Sequence, residues 1–144
     1  MGTRSTYRII EQYKNQNSSI ENNELVLVYV QYDGYPTGHP LATAEWLSTG
    51  VVVNGFGLNE DKLIFNGAGC LAAQFIDRMK DGVGGTYINS LSSRGESGED
   101  YLYDIIVKDD RTIEYVCYDN DGKETELFRG TPSEFVKKYE EVNA

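Results

Sequence analysis

At 144 residues, with 40% hydrophobic and 25% charged side chains, the chain has the make-up of one ordinary globular domain, 1–144, and neither a disordered tail nor a disulfide-stapled miniature. Its net charge of −10 repels phosphate backbones and anionic membrane surfaces, which argues against nucleic acid and membrane as partners. With one histidine and two cysteines outside any CxxC, no zinc ligand set can be assembled, and no cofactor motif calls for one.

The N-terminus, Met1 to Ser5, lacks the apolar run of a signal peptide. Gly2 with Thr6 fits only the loose acylation pattern, and no apolar stretch approaches about 18 residues. A cytoplasmic protein is therefore expected. Thr3 to Ile10 is rich in β-branched residues and predicts a first strand, with Arg4 and Arg8 on one face. The polar, Asn-rich stretch from Gln12 to Glu24 predicts a loop or long hairpin connection. Leu25 to Tyr32, almost continuously apolar, predicts a central strand covered on both faces. Asp33-Gly34-Tyr35-Pro36 stops it, and a helix from about His39 to Ser48 follows, with Thr37 or Gly38 as cap and Pro40 in its first turn.

Val51 to Asn59 reads as a short strand or an apolar loop. Asn66-Gly67-Ala68-Gly69 opens the clearest helix, in which Leu71, Ala72, Phe75, Ile76 and Met79 share one face; Asp81-Gly82 ends it. Thr86 to Leu91 predicts a strand, Ser92 to Asp100 a mobile polar loop, and Tyr101 to Val107, Thr112 to Tyr118 and Glu124 to Phe128 an antiparallel meander turned at Asp109-Asp110 and Asp119 to Gly122. Thr131-Pro132-Ser133-Glu134 is a capping box that starts a last helix. This order predicts an α+β fold: a mostly antiparallel sheet of about five to seven strands carrying two or three helices. Cys70 and Cys117 fall in apolar patterns and read as small buried hydrophobes.

Three features bear on function, each with a plainer alternative. Gln31 to His39 packs an amide, a carboxylate, two phenols and the only imidazole behind an apolar strand, where rigid scaffolds hold ligands; alternatively it is a bare turn, with an Asx-turn at Asp33 and Gly34 at positive φ. Gly67 and Gly69 leave amides open at a helix start, which favours an anion, or they serve a tight turn and close packing. Arg4 can grip phosphate or carboxylate with a two-pronged fork, or pair with an acid such as Asp33. Asp119 to Gly122 lacks calcium-loop spacing and reads as a hairpin turn.

The opening Met1 to Ser5, the Gln-x-Asp-Gly-Tyr-Pro-x-Gly-His segment at Gln31 to His39, Asn66 to Gln74 and Gly84 to Tyr87 together resemble a family of small phage and bacterial proteins, over about the first two-thirds of the chain. The resemblance implies no particular activity but shows where to look. If Arg4, Gln31, Asp33, Tyr35, His39, Asn66, Gly67, Gly69 and Gln74 converge, they form a receptor for a small anionic, nucleotide-like molecule. The leading expectation is a non-enzymatic binder, a phage counter-defence factor acting in the host cytoplasm by sequestering a host signal. Two others stand beside it: a hydrolase of such a ligand, with His39 as acid or base oriented by Asp33, and an acidic inhibitor whose acids at 96–110 and 119–126 fill a basic groove of a host defence protein. A homo-oligomer that shares a site across its subunits would show the same linear pattern.

Overall fold

In the chain's computed structural model, residues 2–54 and 63–143 are described, the last three by backbone alone. Alternation in the first two strands sets the architecture. In β1 (Ser5–Lys14), Tyr7 and Ile9 turn to one side and Thr6, Arg8 and Ile10 to the other; β2 (Ile20–Val30) returns antiparallel beside it, with Val28 and Val30 on the Tyr7 side. The polar stretch from Gln12 to Glu24, expected as a loop or long hairpin connection, is the outer, paired half of this hairpin. Gln12 pairs with Asn22 and Tyr13 with Glu21, and the Asn15 side chain closes the turn by accepting the N–H groups of Asn17 and Ser19 at 2.8 and 3.0 Å. Its polarity reflects exposure on both faces and not a lack of pairing.

The chain continues through α1 (His39–Ser48), β3 (Gly50–Val53), β4 (Leu63–Asn66), α2 (Gly67–Met79), β5 (Thr86–Asn89), a single 3₁₀ turn at Leu91–Ser93, β6 (Tyr101–Val107), β7 (Ile113–Asp119), β8 (Thr125–Gly130) and α3 (Pro132–Asn143). Six strands form one sheet in the order β5-β2-β1-β6-β7-β8, while β3 and β4 pair separately. All neighbours in the large sheet are antiparallel except β1 and β6. The fold is thus α+β with a mixed, mostly antiparallel sheet. Of the ambiguous Val51 to Asn59 segment, Val51 to Val53 belongs to β3, and the part beyond Asn54 lies outside the described residues.

All three helices cover one face. Leu41, Ala44 and Leu47 of α1, Leu71 and Phe75 of α2 and Phe135 of α3 share a core with Tyr7, Ile9, Val28, Val30, Tyr103, Ile105 and Tyr115. Helix α3 starts on the expected box: the Thr131 hydroxyl accepts the Glu134 N–H at 3.2 Å and the Glu134 carboxylate accepts the Thr131 N–H at 2.8 Å.

The parallel β1–β6 pair needs a crossover, and residues 90–100 supply it on the face opposite the helices. This segment, expected to be mobile, is organised round a buried carboxylate. Glu99 is 4% exposed and accepts the N–H groups of Gly95 and Ser97 at 2.8 and 2.7 Å and the Thr6 hydroxyl at 3.2 Å. Arg94 lies over the Tyr118 ring, 5.3 Å from its centroid, and 3.6 Å from Asp104, whose two oxygens accept a fork from Arg8 at 2.9 and 2.8 Å.

Candidate functional site

The chain's surplus of tyrosine explains the segment after β2. Tyr7, Tyr103 and Tyr115 stand side by side on β1, β6 and β7, with ring centroids 5.2 and 6.1 Å apart, fully buried. Their hydroxyls rise to one loop. The Tyr103 O–H donates to the Gly34 carbonyl at 2.7 Å, the Tyr115 O–H to the Pro40 carbonyl at 2.9 Å, and the Tyr7 phenol is hydrogen-bonded to His39 Nδ1 at 2.7 Å. Each buried hydroxyl so finds a partner, and the loop is pegged from below at three points. Main-chain bonds complete it, from the Gly34 N–H to the Thr3 carbonyl and from the His39 N–H to the Asp33 carbonyl.

Positive φ, expected at Gly34, falls on Asp33 at 53°. Gly34 is needed for room: a Cβ there would sit 2.6 Å from the Ser5 side chain. His39 is partly buried, and its Nε2 makes no hydrogen bond of good geometry. Burial lowers its pKa to about 4; the Tyr32 main chain and the Asp33 charge oppose this in part, and the Arg78 charge adds to it. The imidazole is therefore neutral near pH 7. It meets a phenol that burial also keeps protonated, so the pair is a structural peg. Asp33 and Tyr35, by contrast, are exposed at the loop's tip.

Arg4 lies just before β1 and is tied to the end of the crossover. Its N–H donates to the Asp100 carboxylate at 2.9 Å, and its carbonyl accepts the Asp100 N–H at 2.8 Å. Its guanidinium makes no ion pair among the described residues, so the pair with Asp33 does not form. Instead the group lies against Gly98, where a Cβ would sit 3.0, 3.2 and 3.4 Å from Nη1, Cζ and Nη2. In front of it is a concavity of about 350 Å³ lined by Gly2, Arg4, Tyr29, Gln31 and Tyr32. Tyr29 and Tyr87 pair across the strands with ring centroids 6.2 Å apart, and Lys80 lies 5.6 Å from the Tyr87 ring centroid. Arg4 and Gln31 thus line the same hollow. Tyr29 and Gly98 stand beside them without any mark in the sequence: Tyr29 reads as mere alternation in a strand, and nothing local connects Gly98 to Arg4.

The glycine pair lies elsewhere. Gly67, at φ 84°, opens α2 directly after Asn66 and lines a second concavity of about 440 Å³ with Glu11 to Lys14, Val52 to Asn54, Val107 to Asp109 and Arg111. This is the far end of β1. At roughly 3.3 Å per residue, Lys14 lies about 30 Å from Arg4, so Gly67 and Gly69 do not share a small ligand with Arg4. Lys14, Lys108 and Arg111 face this second hollow, but Glu11 and Asp109 do too, and Lys14 stands 4.0 Å from Asp109. Gln74 is bound within its own helix, where its side-chain oxygen accepts the Cys70 thiol at 3.0 Å. Cys117 is buried as expected, while Cys70 is only partly so.

Many of the acids at 96–110 and 119–126 are engaged internally. Glu99 builds the crossover, Asp104 faces Arg8 and Arg94, Asp110 and Asp121 cap their own turns, Glu124 meets Arg94 and Glu126 meets Arg129. No helix among the described residues is long and apolar enough to cross a membrane. No family model matches this chain, and neither do curated proteins or solved structures.

Proposed function

We propose that this protein is a non-catalytic receptor for a small anionic, nucleotide-like ligand, held at the Arg4 concavity on the sheet face opposite the helices. The observation that carries this reading is the Arg4 guanidinium itself. In a chain with 23 acids, it makes no ion pair among the described residues and borders a hollow that also offers two tyrosine rings and an exposed amide. Arg4 would take a phosphate through charge-assisted hydrogen bonds, the Tyr29 or Tyr32 ring would stack on a base, and Gln31 would read its polar edge. A volume of about 350 Å³ suits a single small ligand. Tyr32 is 45% exposed, so one side stays wet and affinity in the micromolar range, roughly −8 kcal/mol, is expected of this conformation. The counter-defence role that the resemblance suggests, sequestration of a host signal, needs nanomolar binding, roughly −12 kcal/mol, and hence a ligand that draws Tyr32 over itself.

Hydrolysis through His39 and Asp33 has less support, since one ring nitrogen is held by Tyr7 and the other is buried. The acidic-inhibitor reading is weakened by the internal use of its carboxylates. Calorimetric titration with AMP, ATP and inorganic phosphate tests the proposal. Arg4→Ala should weaken AMP binding about 10- to 100-fold, the worth of a charged hydrogen-bonded contact, with the thermal midpoint nearly unchanged. Unchanged affinity in Arg4→Ala would sink it, and loss in Lys108→Ala/Arg111→Ala instead would move the ligand to the far hollow.

A further inference from the structure

The crossover between β5 and β6 does more than close the parallel pair. Its last turn is clamped to β1 by the two residues that follow Gly98. Glu99 holds the Gly95 and Ser97 N–H groups with its two oxygens and takes the Thr6 hydroxyl; Asp100 exchanges hydrogen bonds with the Arg4 main chain. Just before these ties, Gly98 stands beside the Arg4 guanidinium, three atoms of which lie 3.0 to 3.4 Å from where a Cβ on Gly98 would be. Gly98 has φ 79°, a conformation that suits glycine, and a Cβ there would displace the end of the Arg4 side chain by a few tenths of an ångström. A long arginine normally loses much rotamer freedom when it binds; one already laid on a backbone plate loses less and presents its fork in a set direction.

We infer that residues 95–100 back the Arg4 side chain from behind the ligand site, and that Glu99 and Gly98 are positioning residues that aim the Arg4 guanidinium at a single phosphate group. This rests on the binding reading above for its ligand but not for its geometry. Among the described residues, Arg4 is the one cation that lines this hollow, so a second or third phosphate on the ligand finds no further partner there, and AMP should bind about as well as ATP.

The experiment has two arms. The first needs no ligand: the rate at which phenylglyoxal modifies Arg4, followed by peptide mass spectrometry, in the wild type, Gly98→Ala and Glu99→Gln, each checked for folding by its thermal midpoint. Several-fold changes in both variants are expected, and equal rates overturn the inference. Should Gly98→Ala fail to fold because of its backbone conformation, Glu99→Gln decides this arm alone. The second is a double-mutant cycle with AMP as probe. Gly98→Ala should weaken AMP about tenfold in the wild type and have no effect in an Arg4→Lys background, because an ammonium has no plane to lay on the plate. An equal loss in both backgrounds means that Gly98 acts through backbone strain, and overturns the inference. If AMP binds no variant, the receptor reading fails by itself while the modification rates still decide the positioning role.

Discussion

His39 is the chain's only histidine, so the mildly acidic range isolates its effect on stability. Burial holds its folded-state pKa at about 4 against the ordinary 6.5, so the unfolded chain binds this proton more readily than the folded one. Its contribution is complete above pH 6.5 and is lost as pH falls from 6.5 toward 4. Roughly 1 kcal/mol should disappear between pH 7 and 5.5, read as a shift in the urea midpoint, and His39→Gln should remove most of that slope while leaving the protein less stable at pH 7. The sequence marked His39 as chemically interesting because histidines often are. Only the fold shows that Tyr7, 32 residues earlier in the chain, occupies one of its nitrogens. The same holds for Arg4, whose neighbour Gly98 lies in another segment altogether.

The elements were legible where local chemistry and periodicity agree. The Thr131-x-x-Glu134 box is a short-range device, and α3 starts on it. Thr131→Ala should cost about 1 kcal/mol of unfolding free energy, measurable by denaturant titration, with little change in the m-value. Helix α2 follows its apolar stripe, and Tyr101 to Val107 is a strand with the expected bounds. The extent of pairing in the outer hairpin is not legible in the sequence: Asn22, Asn23 and Glu24 pair with β1 while exposed to water, a situation in which alternation carries no signal. The crossover was misread for the converse reason. Its serines and glycines suggest a solvated loop, yet one buried carboxylate folds them.

Across the whole molecule, Asp104 joins three parts that are distant in sequence. It is 2% exposed, stands on β6 opposite Arg8 of β1, and faces Arg94 of the crossover. Asp104→Asn would leave two largely desolvated guanidinium groups with a neutral neighbour. A loss of about 3 kcal/mol is expected, because removing one partner strands the other charge in a poorly hydrated place. Chemical denaturation measures it; a loss below about 1 kcal/mol would mean that Glu24 and Glu124, which also meet these arginines, carry the balance.

By itself the sequence determined the α+β class, the meander, the helix starts and the presence of a polar knot after β2, since each depends on neighbours within a few residues or on a period of two or 3.6. Strand order was decided only by the tertiary structure. The parallel pairing of β1 with β6 is a contact across nearly a hundred residues with no local signature. That pairing brings Gly98 to Arg4, while Gly67 lies by the opposite end of β1, so that Arg4 and Gly67 border separate hollows.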